Sequence, residues 1–179
     1  MDLQVNALDQ GPSARWVGYT VLIVIYLAVG YGVSRGVDMG DRFRTGMPWF
    51  APPPATFAAV WPVLYLLAGY SVCRVAQKAV AQRPAWGQGG AWVYWVAFLA
   101  AALHLALSNT WLAVFAKGQV RNSCFVLLGL VLAVSLQLYA SAAIDKVSGF
   151  VLVPVLVWLG YAMLMGIGYG NSQVEVQST

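Results

Sequence analysis

Few side chains in this sequence are suited to chemistry, and most of those are aromatic rings. Eight Trp, nine Tyr and seven Phe stand among 179 residues. Three sets recur at steps of three and four: Phe57, Trp61, Tyr65 and Ala68; His104, Ser108, Trp111 and Phe115; Pro154, Trp158, Tyr161 and Met165. On helices, such steps place each set on one face. Three faces that mix rings with polar tips would enclose an apolar cavity with a few hydrogen-bonding groups, as small-molecule sites do. A flat aromatic ligand would stack well there. Helix packing alone gives the same periodicity, and an aromatic stripe is more often bundle core. The polar tips on all three faces are what favour a cavity.

His104 is the one histidine. The bland reading is a neutral imidazole bonded to a neighbour such as Ser108, one turn away. The sharp reading is an axial ligand to haem iron, or a hydrogen bond to a bound pigment. Asn109 reads as an interhelical hydrogen-bonder. The apolar stretches carry no carboxylate pair, no Lys and no Arg-rich helix. That argues against a proton-coupled pump, a voltage sensor and a metal hydrolase. No Gly-rich phosphate loop or Ser/His/Asp set is visible, so hydrolytic and phosphoryl-transfer machinery is missing. Cys73 and Cys124 sit in or beside apolar runs with no second Cys or His at metal spacing, so neither a disulfide framework nor a zinc site is expected.

The elements that hold these residues are set by composition. The chain is 60% hydrophobic and 9% charged, against about 45–50% apolar and about 25% charged in an ordinary soluble domain. Ten basic and six acidic residues cannot cover a soluble fold of this size. A soluble enzyme, a disordered chain and a DNA-binding domain are thereby excluded. The net charge of +4 is scattered, so no nucleic-acid partner is expected. Membrane lipid is the expected surrounding, with the basic residues available to anionic headgroups.

Five charge-free runs, Trp16 to Ser34, Thr45 to Cys73, Pro84 to Ala116, Asn122 to Ile144 and Val147 to Val174, have lengths of 19, 29, 33, 23 and 28. A spanning helix needs roughly 20 apolar residues, and only helices or closed barrels satisfy the backbone in lipid. The runs lack the alternation of barrel strands. The sequence therefore predicts an all-α membrane protein, a bundle of five transmembrane helices near 16–35, 56–79, 91–115, 121–143 and 149–170. This forms a single domain over 16–170, with a short N-terminal tail at 1–15 and a C-terminal tail at 171–179. Residues 1–15 carry two acids before their first base, so they do not read as a cleaved signal.

A long loop near 36–55 joins the first two helices and ends in Pro52-Pro53-Pro54, which can open a helix but not continue one. Short links elsewhere force antiparallel neighbours. Pro154 either kinks the last helix or marks its start. Trp16, Trp86 and Trp92 suit the interfacial belts. Lys and Arg divide five against five between the two sides, so orientation is not readable. Ala97, Ala101, Ala102, Ala106, Ala162, Gly166 and Gly170 allow close helix approach, and a homodimer is expected from such spacing.

Pro48-Trp49-Phe50-Ala51-Pro52-Pro53, followed by Val60-Trp61, Leu64-Tyr65 and Gly69-Tyr70, resembles the translocator protein family, also called tryptophan-rich sensory proteins or peripheral benzodiazepine receptors. The family pattern there is Pro-Ser-Trp-x-Pro-Pro and then Val-Trp-x-x-Leu-Tyr-x-x-x-Gly-Tyr. Leu105-Ala106-Leu107, Trp111 and Val114-Phe115 resemble its third helix; Pro154, Trp158 and Tyr161-Ala162 resemble its fifth. The chain departs from the pattern in several places. Phe50 stands for the loop Trp, Ser108 for Asn, Val155 for Tyr and His104 for a frequent Gln, and the end after Tyr169 has no Lys or Arg.

The resemblance implies a membrane protein that binds tetrapyrroles such as protoporphyrin IX or haem, acting in transport, sensing or stress response. Sterol or lipid translocation is the alternative within the family; a haem-dependent oxidoreductase using His104 is the alternative outside it. No cofactor is required. The resemblance places ligand contacts at Phe50, Pro52, Phe57, Trp61, Tyr65, His104, Ser108, Trp111, Trp158 and Tyr161, with Phe50 and Pro52 in a lid. Some bacterial relatives break down porphyrin in light, and the two Trp they use match Trp61 and Trp158. Those two would be the catalytic pair if that activity occurs. A multi-pass location in a bacterial membrane or the mitochondrial outer membrane is compatible with the resemblance.

Overall fold

The computed structural model describes residues 20–21, 23–29, 47–82 and 90–178. All regular structure among the described residues is helical. The first expected helix is seen as α1, helical over 23–29, and the rest of 16–35 lies mostly outside the described residues. So does 36–46, most of the expected long loop. The other elements are α2 (Pro54–Gln82), α3 (Trp92–Ala116), α4 (Val120–Ile144), α5 (Lys146–Phe150) and α6 (Val153–Ser178).

Among the described residues four traverses are long and apolar enough to cross a membrane: Ala55–Gln82, Trp92–Ala116, Val120–Ile144 and Lys146–Tyr169. Their outer faces carry large apolar side chains. Leu99, Phe125, Leu132, Tyr139, Val157 and Leu164 are 61–69% exposed. Water would not tolerate that surface, and hydrocarbon does. The chain is an integral membrane protein.

The last traverse differs from a single helix at 149–170. It is broken after α5, where Val151 and Leu152 form a turn. Pro154 is the second residue of α6, and its missing N–H falls in the first turn, where no intrahelical partner exists. Pro154 therefore marks a start rather than a kink. At the other end Gly170 does not stop the helix, which continues to Ser178.

The α3–α4 link turns on Gly118, whose φ of 76° suits a residue without Cβ. Its N–H donates to the Phe115 carbonyl at 2.9 Å. α4 packs along α3 and also meets α2, α5 and α6. It supplies the fully buried Leu127, Leu130 and Val134, and α6 supplies Val155 and Leu159.

The junction of α4 and α5 is tied down by polar groups. The Asp145 carboxylate caps α5 by accepting from the Ser148 N–H at 2.9 Å. The same carboxylate takes Arg74 of α2 in a two-pronged pair, Nε to Oδ2 at 2.7 Å and Nη2 to Oδ1 at 3.0 Å. Ser71 Oγ donates to the Ser148 carbonyl at 2.8 Å. Gly149 then lies against α4, so that a Cβ there would fall 2.8 Å from Ala142 Cα and 2.9 Å from its nitrogen.

Two outcomes follow from this junction. Gly149→Ala lowers stability by about 1–3 kcal/mol through overpacking, read as a fall in the thermal midpoint in detergent. Gly160→Ala, with nothing within 4 Å of the added methyl, leaves the midpoint unchanged or slightly raised. The Arg74 guanidinium and, secondarily, the Ser148 N–H hold the Asp145 carboxyl down from an ordinary 3.8 to about 2. Its contribution is therefore complete above 3.8 and is lost as pH falls through about 2. A pH series of unfolding midpoints checks this, with Asp145→Asn removing that part of the acid slope.

Candidate functional site

Steps of four along α2 carry Phe57, Trp61 and Tyr65 inward, and α3 and α6 present Trp111, Phe115, Trp158 and Tyr161 toward them. Two runs of rings result. One begins in the irregular segment 47–53: Trp49 meets Phe50 at 5.8 Å between centroids, Phe50 meets Tyr161 at 6.5 Å, Tyr161 meets Trp158 at 5.5 Å, and Trp158 meets Phe57 at 5.5 Å. The other links Tyr65 to Trp61 at 5.7 Å, Trp61 to Trp111 at 5.6 Å, and Trp111 to Phe115 at 5.5 Å, the last pair stacked. Such contacts contribute about 0.5–1.5 kcal/mol each beyond burial.

A cavity lies where the runs converge. Phe57, Trp111 and Phe115 line it, together with Met47, Cys124 and Met165. Its volume is about 20 Å³, room for about one water molecule. Small-molecule pockets hold about 300–1,000 Å³. The rings themselves fill the space between the helices, so a large ligand enters only as they part.

Residues 47–53 close this end of the bundle. A turn forms as the Ala51 N–H donates to the Pro48 carbonyl at 2.9 Å. The Tyr161 hydroxyl donates to the Phe50 carbonyl at 2.7 Å. Gly168 of α6 makes the approach possible: a Cβ there would lie 3.1 Å from Pro48 Cβ and 3.5 Å from Phe50 Cζ. Pro52 is half-buried just before α2, and Trp49 is 95% exposed.

Phe50, Phe57, Trp61, Tyr65, Trp111, Trp158 and Tyr161 are thus joined ring to ring. His104 and Ser108 lie at the edge of this array: Tyr26 stands 6.3 Å from Tyr65 and 6.0 Å from His104 between ring centroids, and Ser108 adjoins Tyr65. The imidazole is 2% exposed and its Nδ1 faces Gln137 Oε1 of α4 at 3.0 Å and the Tyr26 hydroxyl of α1 at 3.2 Å. With Nδ1 protonated it donates to Gln137, while Tyr26 donates to the Ala101 carbonyl at 3.2 Å. Ser108 is not the imidazole's partner; its hydroxyl donates to the His104 carbonyl at 2.9 Å. His104 does not line the cavity. Nδ1 is thus taken up in contacts between helices, which leaves Nε2 as the nitrogen that an axial bond would use. Asn109 likewise bonds within its own helix, donating to the Leu105 carbonyl at 2.7 Å.

Sequence reasoning named no face on α4. Its buried Ser123, Leu127, Leu130, Val134, Gln137 and Ser141 recur at three and four residues, and the lone glutamine within an apolar run was the available signal. Ala97, Ala101 and Ala162 are spent inside the bundle, whereas Ala102 and Ala106 lie on its outside.

These features define a class: an all-helical membrane bundle with an aromatic seam under a short cap. Residues 19–169 match the TspO/MBR family, and the chain belongs to it. Membership points to a membrane role in binding or transport related to tetrapyrroles or sterols. No curated protein matches the chain at a significant level.

Tyr161→Phe deletes the hydrogen bond from α6 to the Phe50 carbonyl, a loss of about 0.5–1.5 kcal/mol. Amide exchange of residues 47–53 speeds up accordingly while exchange at the α4–α5 junction is unchanged; mass spectrometry of both peptides checks it.

Proposed function

We propose that the chain binds a tetrapyrrole such as protoporphyrin IX inside the membrane, between α2, α3 and α6 and beneath residues 47–53, in a transport, sensing or stress-response role. The observation that carries this reading is the aromatic seam with one donor left over. Trp158 Nε1 is buried without a hydrogen-bond partner, at a penalty of about 1–3 kcal/mol. A flat apolar macrocycle with acceptor atoms supplies stacking surface to the rings and a partner to that indole. Phe50 and Pro52 form the cap, and Trp61, Tyr65, Trp111, Trp158 and Tyr161 the walls. In the same reading, two copies pair across the outer face of α3 at Ala102 and Ala106, whose spacing suits close helix contact. Should the bound pigment absorb light, Trp61 or Trp158 is placed to give it one electron. That step needs no acid–base residue.

Tryptophan-fluorescence quenching by protoporphyrin IX, in detergent and in the dark, tests the proposal. Wild type shows saturable quenching, and Trp61→Phe/Trp158→Phe binds about five-fold or more weakly, equivalent to about 1 kcal/mol. Linear quenching in both proteins marks partitioning into the micelle and rejects the porphyrin site. Displacement of the porphyrin by a sterol assigns the seam to both ligand classes, and illumination of the complex tests breakdown.

A further inference from the structure

The cavity beneath residues 47–53 has a second chemical character. Among its lining side chains are a thiol, Cys124, and two thioethers, Met47 and Met165, contributed by the cap segment, α4 and α6. Three sulphur-bearing side chains from three separate parts of the chain therefore line a volume of about 20 Å³. That space suits one ion or one water, not an organic molecule. The ring faces of Trp111 and Phe115 form another wall. Ser123 also borders the cavity, but its hydroxyl is engaged with the Val120 carbonyl at 2.7 Å. Cys124 Sγ is held against the backbone of α6, because Gly166 has no side chain and a Cβ there would come within 3.2 Å of the sulphur.

We propose that Met47, Cys124 and Met165 bind one soft monovalent cation of the Cu(I) class. Thiolate and thioether donors select such ions. Charge gives the same answer. One thiolate and one monovalent cation make a neutral pair, which a low-dielectric interior accepts; a divalent ion would leave a buried positive charge. Zinc is disfavoured further, since its sites draw four ligands from Cys, His and carboxylates, and no cluster of three such residues exists among the described residues. Binding breaks the Cys124 S–H bond, forms a sulphur–metal bond and releases the proton to water. One proton therefore leaves per ion bound, and affinity rises with pH. The ion occupies the cavity while the rings are closed on one another and so needs no tetrapyrrole; a macrocycle that parts Phe57 and Trp111 would separate the three ligands, and the two therefore compete.

The test uses the purified full chain in detergent, under reductant and without porphyrin. Cu(I) is supplied as a complex with a chromophoric chelator, whose bleaching reports transfer. Wild type and Cys73→Ser each take one Cu(I) per chain. Cys124→Ser and Met165→Leu bind at least about ten-fold more weakly, a change of about 1.4 kcal/mol. Met165→Leu conserves apolar volume and keeps the wild-type unfolding midpoint, which separates lost ligation from lost fold. X-ray absorption of the loaded protein shows a shell of sulphur alone. Uptake by Cys124→Ser equal to wild type overturns the proposal, as does a nitrogen or oxygen shell, or loss of uptake in Cys73→Ser alone. Because no porphyrin is present, failure here leaves the quenching experiment unaffected.

Discussion

In hydrocarbon a polar atom without a partner costs several kcal/mol, since no water can supply one. This constraint governs most polar groups of the described residues, although Asn109 Oδ1, Gln137 Nε2 and Trp158 Nε1 are buried without a partner. Many are returned to their own helix. Ser108, Asn109 and Thr110 bond to carbonyls four residues back, at 2.9, 2.7 and 2.9 Å. Among the described residues, groups that cross between elements include the imidazole knot of Tyr26, His104 and Gln137, the Arg74–Asp145 junction, the Tyr94 bond to Gln82 and the Tyr161 bond to the cap. The knot pins α1, α3 and α4 near the middle of the bundle. It also explains why a buried histidine need not be a ligand: its nitrogen is used for structure.

The two ends of the bundle are held by different forces. At the α4–α5 junction a two-pronged ion pair, a helix cap and the Ser71 and Ser148 bonds act together, around a glycine contact too tight for any side chain. Directional bonds of this number define one geometry. At the cap end, Tyr161 donates a hydrogen bond to Phe50, and ring contacts and the close approach of Gly168 to Pro48 add to it. Rings are tolerant of changes in tilt. Under the proposed function, a motion that admits a ligand would concentrate at the cap end, with the junction as its fixed point. Proline placement supports this division, because α6 starts afresh at Val153 just beyond the junction.

Much of this could be read from the residues. Apolar run lengths located α2, α3 and α4 to within three residues at each end, since charge-free length is what lipid selects. Rings at the aromatic steps meet across α2 and α6 at Phe57–Trp158 and across α2 and α3 at Trp61–Trp111. Other features escaped for physical reasons. Periodicity says which residues share a face but not which face meets which, so His104 was paired with Ser108 on its own helix rather than with Gln137 across the bundle. α4 carries no aromatic signal on its inner side, so Cys124 and Leu127 did not declare themselves as cavity walls. The tight Gly149–Ala142 approach is a property of two segments in space, and neither residue marks it alone.

The size of the cavity and the size of the proposed ligand are reconciled by the same softness. Trp158 meets Phe57 edge-on at 69°, and Trp61 lies at 32° to both Tyr65 and Trp111. Each contact contributes about 0.5–1.5 kcal/mol beyond burial. Inserting a planar macrocycle replaces ring–ring contacts with ring–ligand contacts of similar kind, so the exchange is close to neutral in dispersion and adds a partner for the Trp158 N–H. An aliphatic seam would open less readily, because interlocked branched side chains leave voids when they part. In the proposed reading the aromatic walls would thus serve two states: closed on one another around a space for a single atom, and parted around a plate.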